Sequence, residues 1–180
     1  MAFPIAHALL GTTIVIAGSP QHPRNIGWKP LLIGAALGIV PDLDFAAVWF
    51  FELHKSWHRG FSHSIPTAFA VGALLSLWTK QGTRFRWAVV YGAAMASHGL
   101  VDALLSIKGG VTLLWPITSR RFVVGLVEYP DFPLEVNYPA FVVTNGLFLL
   151  QLSAIEFIAL SSVLILTWTI KVKASSRFAD

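Results

Sequence analysis

Long apolar stretches alternate with short polar loops along the whole chain. Five stretches carry few or no Lys, Arg, Asp or Glu residues, and most of the charge lies in the loops between them. A helix that crosses a bilayer needs about 20 mainly apolar residues. The pattern therefore predicts an all-α, polytopic membrane helical bundle with about four to five transmembrane helices. The apolar stretches are residues 3–18, 30–51, 62–79, 87–107 and 138–170.

Three of the stretches differ from a simple span. The first is short, but it has no Lys or Arg before it and carries His7, so we expect a retained helix and not a signal peptide. Pro41 interrupts the second stretch and is expected to end a helical run there. The last stretch exceeds one span, so we place a generic C-terminal span at residues 141–170 of a single membrane-embedded domain, residues 1–180.

The composition indicates a surface that is solvated largely by lipid. Hydrophobic residues make up 55% of the 180 residues, charged residues only 12%, and the mean hydropathy is +0.66. A soluble domain carries roughly 25% charged residues, so the soluble, disordered and coiled-coil classes are excluded. The net charge of +4 is spread over short loops, so we expect no nucleic-acid partner. The chain has no cysteine, so any metal site must use His, Asp or Glu.

The basic residues also indicate an orientation. With five spans, eight Lys and Arg residues fall on one side of the membrane and five on the other. Cytoplasmic loops of membrane proteins carry an excess of basic residues. We therefore expect a multi-pass protein of the cell (inner) membrane, with its C-terminus in the cytoplasm and its N-terminus outside.

Ionisable side chains inside the apolar stretches are the strongest functional signal. Each costs about 2.5–3.5 kcal/mol on insertion scales, and such residues usually face the bundle interior at functional sites. With five spans they fall in one leaflet, on the side of the N-terminus, whichever way the protein inserts. Glu156 is the exception, and we expect it to make a packing hydrogen bond. The residues on the N-terminal side are His7, Asp42, Asp44, His63, His98 and Asp102, with His58 just before the third stretch.

Two of the spacings are suited to ligand pairs. His98 and Asp102 lie four residues apart, on one face of a helix. Both could reach one ion, or the aspartate could orient the imidazole. Asp42 and Asp44 follow Pro41 on backbone that we expect to be irregular, which is tolerated at membrane depth where it lines a cavity.

Residues 58–63, with the sequence HRGFSH, form a third motif. His58 and His63 lie five residues apart across a glycine, where a loop passes into the third stretch. Ser62 is expected to cap the N-terminus of that helix. Arg59 lies beside the histidines and is a candidate to bind an anionic group such as phosphate.

Together these residues predict a metal site. Four imidazoles and three carboxylates exceed the three or four ligands of one zinc, so we expect one or two divalent ions, Zn first, with Mn or Fe as alternatives. The metal would lower the pKa of a bound water towards ~7, and Asp42 or Asp44 could serve as general base. Arg120 or Arg121 could assist Arg59 at an anionic group. We expect His58, His63, His98 and Asp102 as the ligand core, completed by Asp42, Asp44 and His7.

Other interpretations of the same residues stay open. Each group alone could be structural: an interior histidine at His7, a polar helix end at Asp42 and Asp44, or an interhelical hydrogen bond at His98 and Asp102. The whole set could also form a metal-free proton or ion pathway. A metal-ion transporter or permease would need ionisable residues in both leaflets. A non-catalytic, metal-binding regulatory membrane protein would bind the metal without turnover.

Several short motifs occur in an order that is typical of one family. In this order and spacing they resemble the YdjM-like family of inner-membrane proteins, and the resemblance covers residues 1–122. The motifs are His7-Ala-Leu-Leu-Gly11, Pro41-Asp42-Leu43-Asp44, residues 58–64, Ser97-His98 with Asp102, and Leu114-Trp115-Pro116 followed by Arg120-Arg121-Phe122.

The resemblance implies a metal-dependent hydrolase. The element formed by His98 and Asp102 is also similar to one in zinc-dependent phospholipase C, which implies a phosphoester or another lipid-like substrate. We therefore expect a membrane-bound hydrolase that uses metal-activated water on an amphiphilic ester. That substrate would enter from the membrane lipid.

Overall fold

The computed structural model describes residues 4–54, 57–105, 109–126 and 138–176. Within these ranges the regular elements are α-helices and short 3-10 turns, and no β-strand is present. One antiparallel bridge joins Val111 to Phe122. This is the all-α architecture that the apolar stretches predict. The α-helices are α1 (Pro4–Gly18), α2 (Trp28–Ile39), α3 (Leu43–Phe50), α4 (Ile65–Ser76), α5 (Arg84–Leu105) and α6 (Tyr138–Ser176).

The described helices fall into two length classes. Three segments are long and apolar enough to cross a membrane: Trp28–Phe50, which joins α2 to α3, Gln81–Leu105, and Leu150–Ala174. The apolar helices α1 and α4 are shorter, with 15 and 12 residues. At 1.5 Å per residue they measure about 22 and 18 Å, less than the hydrocarbon thickness of about 30 Å. Of the expected four to five spans, the described residues therefore contain three of full length, and the other two apolar stretches form short helices.

Helix α5 lies at the centre of the bundle and contacts α1, α2 and α4. Its buried residues Tyr91 and Ala94 belong to a core that also includes Val15 of α1 and Leu37 of α2. Helix α6 packs along α1, and no residue of its apolar span Leu150–Ala174 is buried inside the protein. Helix α5 is therefore the central helix of the core, while α6 offers an apolar surface to lipid.

Two 3-10 turns lie at one end of the bundle. The turn Val40–Asp42 separates α2 from α3 at Pro41, as the sequence predicts. The turn Phe61–His63 precedes α4. Both turns pack against α5, so this irregular backbone is covered by protein. Non-helical backbone inside a membrane is tolerated only where protein or a water-filled cavity shields it from lipid.

The cap of α4 corrects one expectation. Ser64 is the N-cap, and its hydroxyl accepts a hydrogen bond from the amide of Thr67 at 3.3 Å. The prediction that Ser62 caps this helix is wrong by two residues. The hydroxyl of Ser62 instead donates to Asp44 of α3 at 2.6 Å, because Ser62 lies in the 3-10 turn Phe61–His63 before the helix begins.

Glycine permits close backbone contacts around these turns. A Cβ atom on Gly38 would overlap the backbone carbonyl of His7, so glycine lets α2 approach α1 closely. A Cβ atom on Gly99 would overlap the carbonyl of His63 in the turn before α4. These two contacts hold the backbones of both histidines beside neighbouring helices.

Basic side chains close the opposite end of the bundle. Arg86 donates from Nε to the carbonyl of Gly18 at 2.7 Å and from Nη2 to that of Ser19 at 3.2 Å. Lys171 of α6 donates to the carbonyls of Ile16 and Ser19. The last carbonyls of a helix have no intrahelical partner and carry partial negative charge, so cations stabilise them. We call this region, with Arg86 and Lys171, the basic end.

Candidate metal centre

The seven predicted metal-ligating residues converge opposite the basic end. They come from α1, α3, α5, the turn Val40–Asp42, and the segment that leads into α4. We call this region the histidine end. Four of the side chains are at most 1% exposed: His7, His63, His98 and Asp102.

Four side chains at the histidine end form a cluster that could hold a metal ion. One ligand atom from each of Asp42, His63, His98 and Asp102 lies within 4.8 Å of the other three. Nε2 of His98 is 3.1 Å from Nε2 of His63 and 3.3 Å from Oδ1 of Asp42. Nε2 of His63 lies 3.7 Å from Asp42 and 3.8 Å from Asp102. Nitrogen and oxygen ligands of a tetrahedral zinc lie about 3.3–3.6 Å apart, and the four spacings lie within about 0.2 Å of that range.

Hydrogen bonds direct an unprotonated nitrogen of two histidines into this cluster. Nδ1 of His98 lies 2.6 Å from the carbonyl oxygen of Gly38, and because a carbonyl only accepts, Nδ1 carries the proton. The hydroxyl of Ser62 donates to Asp44, so it accepts from Nδ1 of His63 at 3.0 Å. When both rings are neutral, each therefore presents an Nε2 lone pair to the same point. Two lone pairs 3.1 Å apart repel unless a positive charge lies between them.

The buried carboxylates of the cluster also need a positive charge beside them. Within the described part of the chain, no hydrogen bond reaches either oxygen of Asp102 or Oδ1 of Asp42. With Asp44 there are three carboxylates beside one guanidinium, that of Arg59. If the imidazoles are neutral, two negative charges remain. A buried charge without a partner costs several kcal/mol, and one divalent cation would neutralise both.

His7 extends the cluster from α1. Its ring stacks on that of His98 with centroids 3.8 Å apart, and its Nε2 lies 3.5 Å from Oδ1 of Asp102. Among the described residues neither ring nitrogen of His7 finds a hydrogen-bond partner, although the side chain is buried. Buried polar groups are nearly always hydrogen-bonded, so the position fits a further metal ligand.

Asp44 and His58 lie beside the four-residue cluster and outside it. Oδ1 of Asp44 is 2.7 Å from Nδ1 of His58. Oδ2 accepts from the Ser62 hydroxyl at 2.6 Å and the Arg59 amide at 3.1 Å, and lies 3.3 Å from Nδ1 of His63. Donors therefore surround this carboxylate, which orients two imidazoles at once. The two aspartates of the PDLD motif thus differ in environment. Asp42 faces the cluster, whereas Asp44 makes hydrogen bonds to residues beside it.

Arg59 is fixed through both its backbone and its side chain. Its φ of 60° lies in the left-handed region, which is uncommon for residues other than glycine. Its amide donates to Asp44, and its carbonyl accepts from the amide of Thr112 at 3.1 Å. The side chain is buried, with Nε 3.3 Å from Oδ2 of Asp102. We expected this guanidinium at an anionic ligand, whereas the structure pairs it with a carboxylate of the cluster.

An open cleft of about 390 Å³ adjoins the histidine end. Its wall includes residues that flank His58 and Arg59 in sequence. Sequence reasoning treated Arg121 only as an auxiliary cation and overlooked the aromatic residues of the cleft, although tryptophan and phenylalanine beside a polar motif are a usable signal. The side chains that line the cleft include Trp57, Phe61, Thr112, Trp115, Ser119 and Arg121.

The fold and this site define a class: a helical membrane protein with a buried His/Asp cluster that could hold a metal ion. The chain belongs to the family of YdjM inner membrane proteins, whose family model matches residues 1–177. It is also similar to the inner membrane protein YbcI of Escherichia coli (strain K12), with 32% identity over 125 residues that cover 66% of this chain and 69% of YbcI. No solved structure matches the chain.

The family match extends further than the motifs indicated. The motifs end at residue 122 and left the last span generic, whereas the match continues through α6 to residue 177. Helix α6 packs along α1, the helix that carries His7. Glu156 lies in α6 and is not one of the four clustered residues. The C-terminal helix is thus part of the family's shared unit.

Proposed function

We propose that this protein is a membrane-bound, metal-dependent hydrolase of a phosphoester or another lipid-like amphiphilic ester. The observation that carries the proposal is a buried cluster in which two imidazoles and three carboxylates meet beside a single guanidinium and next to an open cleft. Zn²⁺ is the ion we propose first, with Mn²⁺ or Fe²⁺ as alternatives. A bound divalent metal would supply Lewis acidity and an activated water. The residues that would hold it are Asp42, His63, His98 and Asp102, with His7 beside them.

The contacts of His58 support a role as general base. Asp44 accepts from its Nδ1 at 2.7 Å, and a carboxylate in this position fixes the tautomer and leaves Nε2 as the nitrogen that can accept a proton. The ring centroid of His58 lies 5.8 Å from that of His63. We therefore assign proton abstraction to the His58–Asp44 pair in preference to either aspartate alone. Arg59, held against Asp102, would stabilise negative charge in the same site.

The orientation that we propose places the C-terminus in the cytoplasm. Lys171, near the C-terminal end of α6, lies at the basic end, and the sequence shows the same excess of basic residues on that side. The histidine end would then face outward. Because the chain has no cysteine, Ser119→Cys and Gly82→Cys can be labelled singly with a membrane-impermeant maleimide. Labelling of intact cells should reach only Ser119→Cys, and the reverse result would invert the orientation.

Metal analysis of the purified protein tests the site. We expect bound metal in the wild-type protein in detergent and background levels in His63→Ala and Asp102→Ala. His22→Ala is the matched control, since His22 lies in the loop after α1, outside the cluster. Unchanged metal content in both site variants would refute the proposed centre.

Turnover is tested separately with phosphoesters and phospholipids, with and without added metal. We expect His58→Gln to keep its metal and to lose about 10²–10⁴-fold in kcat, as general-base variants do. Stoichiometric metal with no hydrolysis of any ester would refute the hydrolase proposal and favour a non-catalytic metal-binding protein.

A further inference from the structure

The cleft beside the histidine end has an aromatic rim. Trp57, Phe61 and Trp115 are between 41% and 50% exposed. The ring centroids of Trp57 and Phe61 are 6.2 Å apart, and those of Phe61 and Trp115 are 5.8 Å apart. Tryptophan and other aromatic side chains are enriched at the level of the lipid headgroups, where one side of the ring is apolar and the other is wet. The rim therefore marks the mouth of the cleft as a surface that meets the membrane interface.

Arg121 gives the same cleft a positively charged wall. Its Nη1 donates to the carbonyls of Gly109 and Gly110 at 2.9 and 3.2 Å, and its Nη2 donates to the carbonyl of His58 at 3.4 Å. These bonds hold the guanidinium against the segment that carries the proposed general base. A guanidinium keeps its positive charge at every physiological pH, so it attracts the oxygens of a phosphate group even where some of its N–H groups donate to carbonyls.

Arg59 is a poorer candidate for this task. Its guanidinium is buried against Asp102 within the metal cluster, whereas Arg121 is exposed and lines the cleft. The hydroxyl of Ser119 lies on the same lining and could donate to phosphate oxygens, whereas the hydroxyl of Thr112 donates to the carbonyl of Arg59 at 3.2 Å. Positive charge, a hydroxyl donor and an aromatic rim thus meet in one opening.

We propose that this cleft is the subsite for the phosphate headgroup of a membrane lipid, with Arg121 as the residue that selects the anionic group. The inference rests on the proposed hydrolase function, since it narrows the substrate to a phosphate-bearing amphiphile. The rim would hold the lipid at the interface while Arg121 holds its phosphate beside the His58–Asp44 pair.

Binding, measured without turnover, tests the subsite. The probe is a phosphonate analogue of a short-chain phosphatidic acid, added to the metal-loaded full chain in nanodiscs, with intrinsic tryptophan fluorescence as the signal. Arg121→Gln should weaken analogue binding about tenfold or more, as expected for loss of a charged hydrogen-bonded contact. Arg121→Lys should recover part of the affinity, because it restores the charge without the planar fork.

Two controls separate the subsite from a structural role of Arg121. Arg120→Gln should leave the affinity unchanged, because the Arg120 guanidinium lies 5.9 Å from the Phe122 ring and does not line the cleft. Trp57→Ala, at a half-exposed position, should weaken binding of the lipid analogue but not of glycerol 3-phosphate. Unchanged metal content and thermal unfolding would verify that each variant is folded.

The outcomes distinguish this inference from the hydrolase proposal. Analogue affinity that is indifferent to Arg121 overturns the subsite, even if the protein hydrolyses esters. Glycerol 3-phosphate binding as tightly as the lipid analogue overturns the lipid assignment. Binding that depends on Arg121 and Trp57 in a protein with no esterase activity supports the subsite and refutes the hydrolase.

Discussion

At the basic end of the bundle, Arg86 and Lys171 donate to the backbone carbonyls that end α1. At the histidine end, imidazoles and carboxylates face one another, and the described chain offers no hydrogen bond to either oxygen of Asp102. The first arrangement satisfies groups that every helix terminus leaves without partners. The second concentrates buried polar atoms that have no hydrogen-bond partner among the described residues, and a bound cation would satisfy them. The contrast separates charge that stabilises the fold from charge arranged for a ligand.

Stability alone does not account for the histidine end. Replacing a buried ionic cluster by apolar side chains of similar volume is often neutral or stabilising, and ionisable residues within membrane segments are rare. The chain nevertheless keeps three of its nine acidic residues there. Substitutions at the basic end should therefore change stability alone, while those at the histidine end should change metal binding first.

Removal of the metal that we propose should produce the largest effect. An ion present at 1,000 times its Kd stabilises the folded state by about 4 kcal/mol, so chelator-treated protein should unfold at a clearly lower temperature than metal-loaded protein in the same detergent. The shift should disappear in a His98→Ala/Asp102→Ala double variant and persist in Lys171→Met. A metal-dependent shift that survives the double variant would place the ion elsewhere.

Gly99→Ala should cause the largest loss from a single added methyl group. The new Cβ would overlap the carbonyl of His63, so α5 and the turn before α4 must separate, and such overpacking costs about 1–3 kcal/mol. We expect a lower Tm together with reduced metal content. Gly82→Ala is the matched control near the basic end, because a Cβ there would meet nothing within 4 Å. Equal losses in the two variants would contradict the close contact.

The pattern of apolar and polar residues along the chain was sufficient to predict most of the fold. The apolar stretches correspond to α1, to α2 with α3, and to α4, α5 and α6, and Pro41 marks the break between α2 and α3. The order of the spans was enough to predict that His98 and Asp102 lie on the same side of the membrane as the site residues of the other helices. That prediction depends only on how often the chain crosses the membrane before each residue. The short α1 matches the predicted stretch of residues 3–18, whereas α4 is shorter than the predicted stretch of residues 62–79, because that stretch begins in the 3-10 turn Phe61–His63 and runs past the end of the helix at Ser76.

The division of labour within the site could not be predicted in the same way. Asp42 and Asp44 are equivalent in sequence, and only contacts with residues 14 to 18 positions away show that Asp44 orients His58 and Ser62. The pairing of Arg59 with Asp102 and the position of Arg121 on the cleft likewise depend on loop geometry. Sequence chemistry identified the residue types, while tertiary contacts assigned their partners.

Asp44→Asn should weaken metal binding without abolishing it. The amide keeps the size of the side chain but removes one acceptor, so Nδ1 of His58 or the hydroxyl of Ser62 loses its partner. Loss of a group that orients metal ligands typically costs 10–100-fold in affinity, which competition with a chromophoric chelator would measure. Glu52→Gln is the matched control, as Glu52 is exposed shortly after α3. Complete loss of metal in Asp44→Asn would instead make Asp44 a direct ligand.

Lys171→Met should have the smallest effect and should act on stability only. The change removes the ammonium that donates to the carbonyls of Ile16 and Ser19 at the end of α1, which should lower the free energy of unfolding by about 1 kcal/mol. Thermal unfolding in detergent measures this loss, and Lys80→Met is the control, because Lys80 is exposed next to the turn before α5. Metal affinity should stay at the wild-type value, since the basic end only closes a helix terminus. A weaker metal affinity in Lys171→Met would mean that the two ends are coupled through α1, the helix that carries both His7 and these carbonyls.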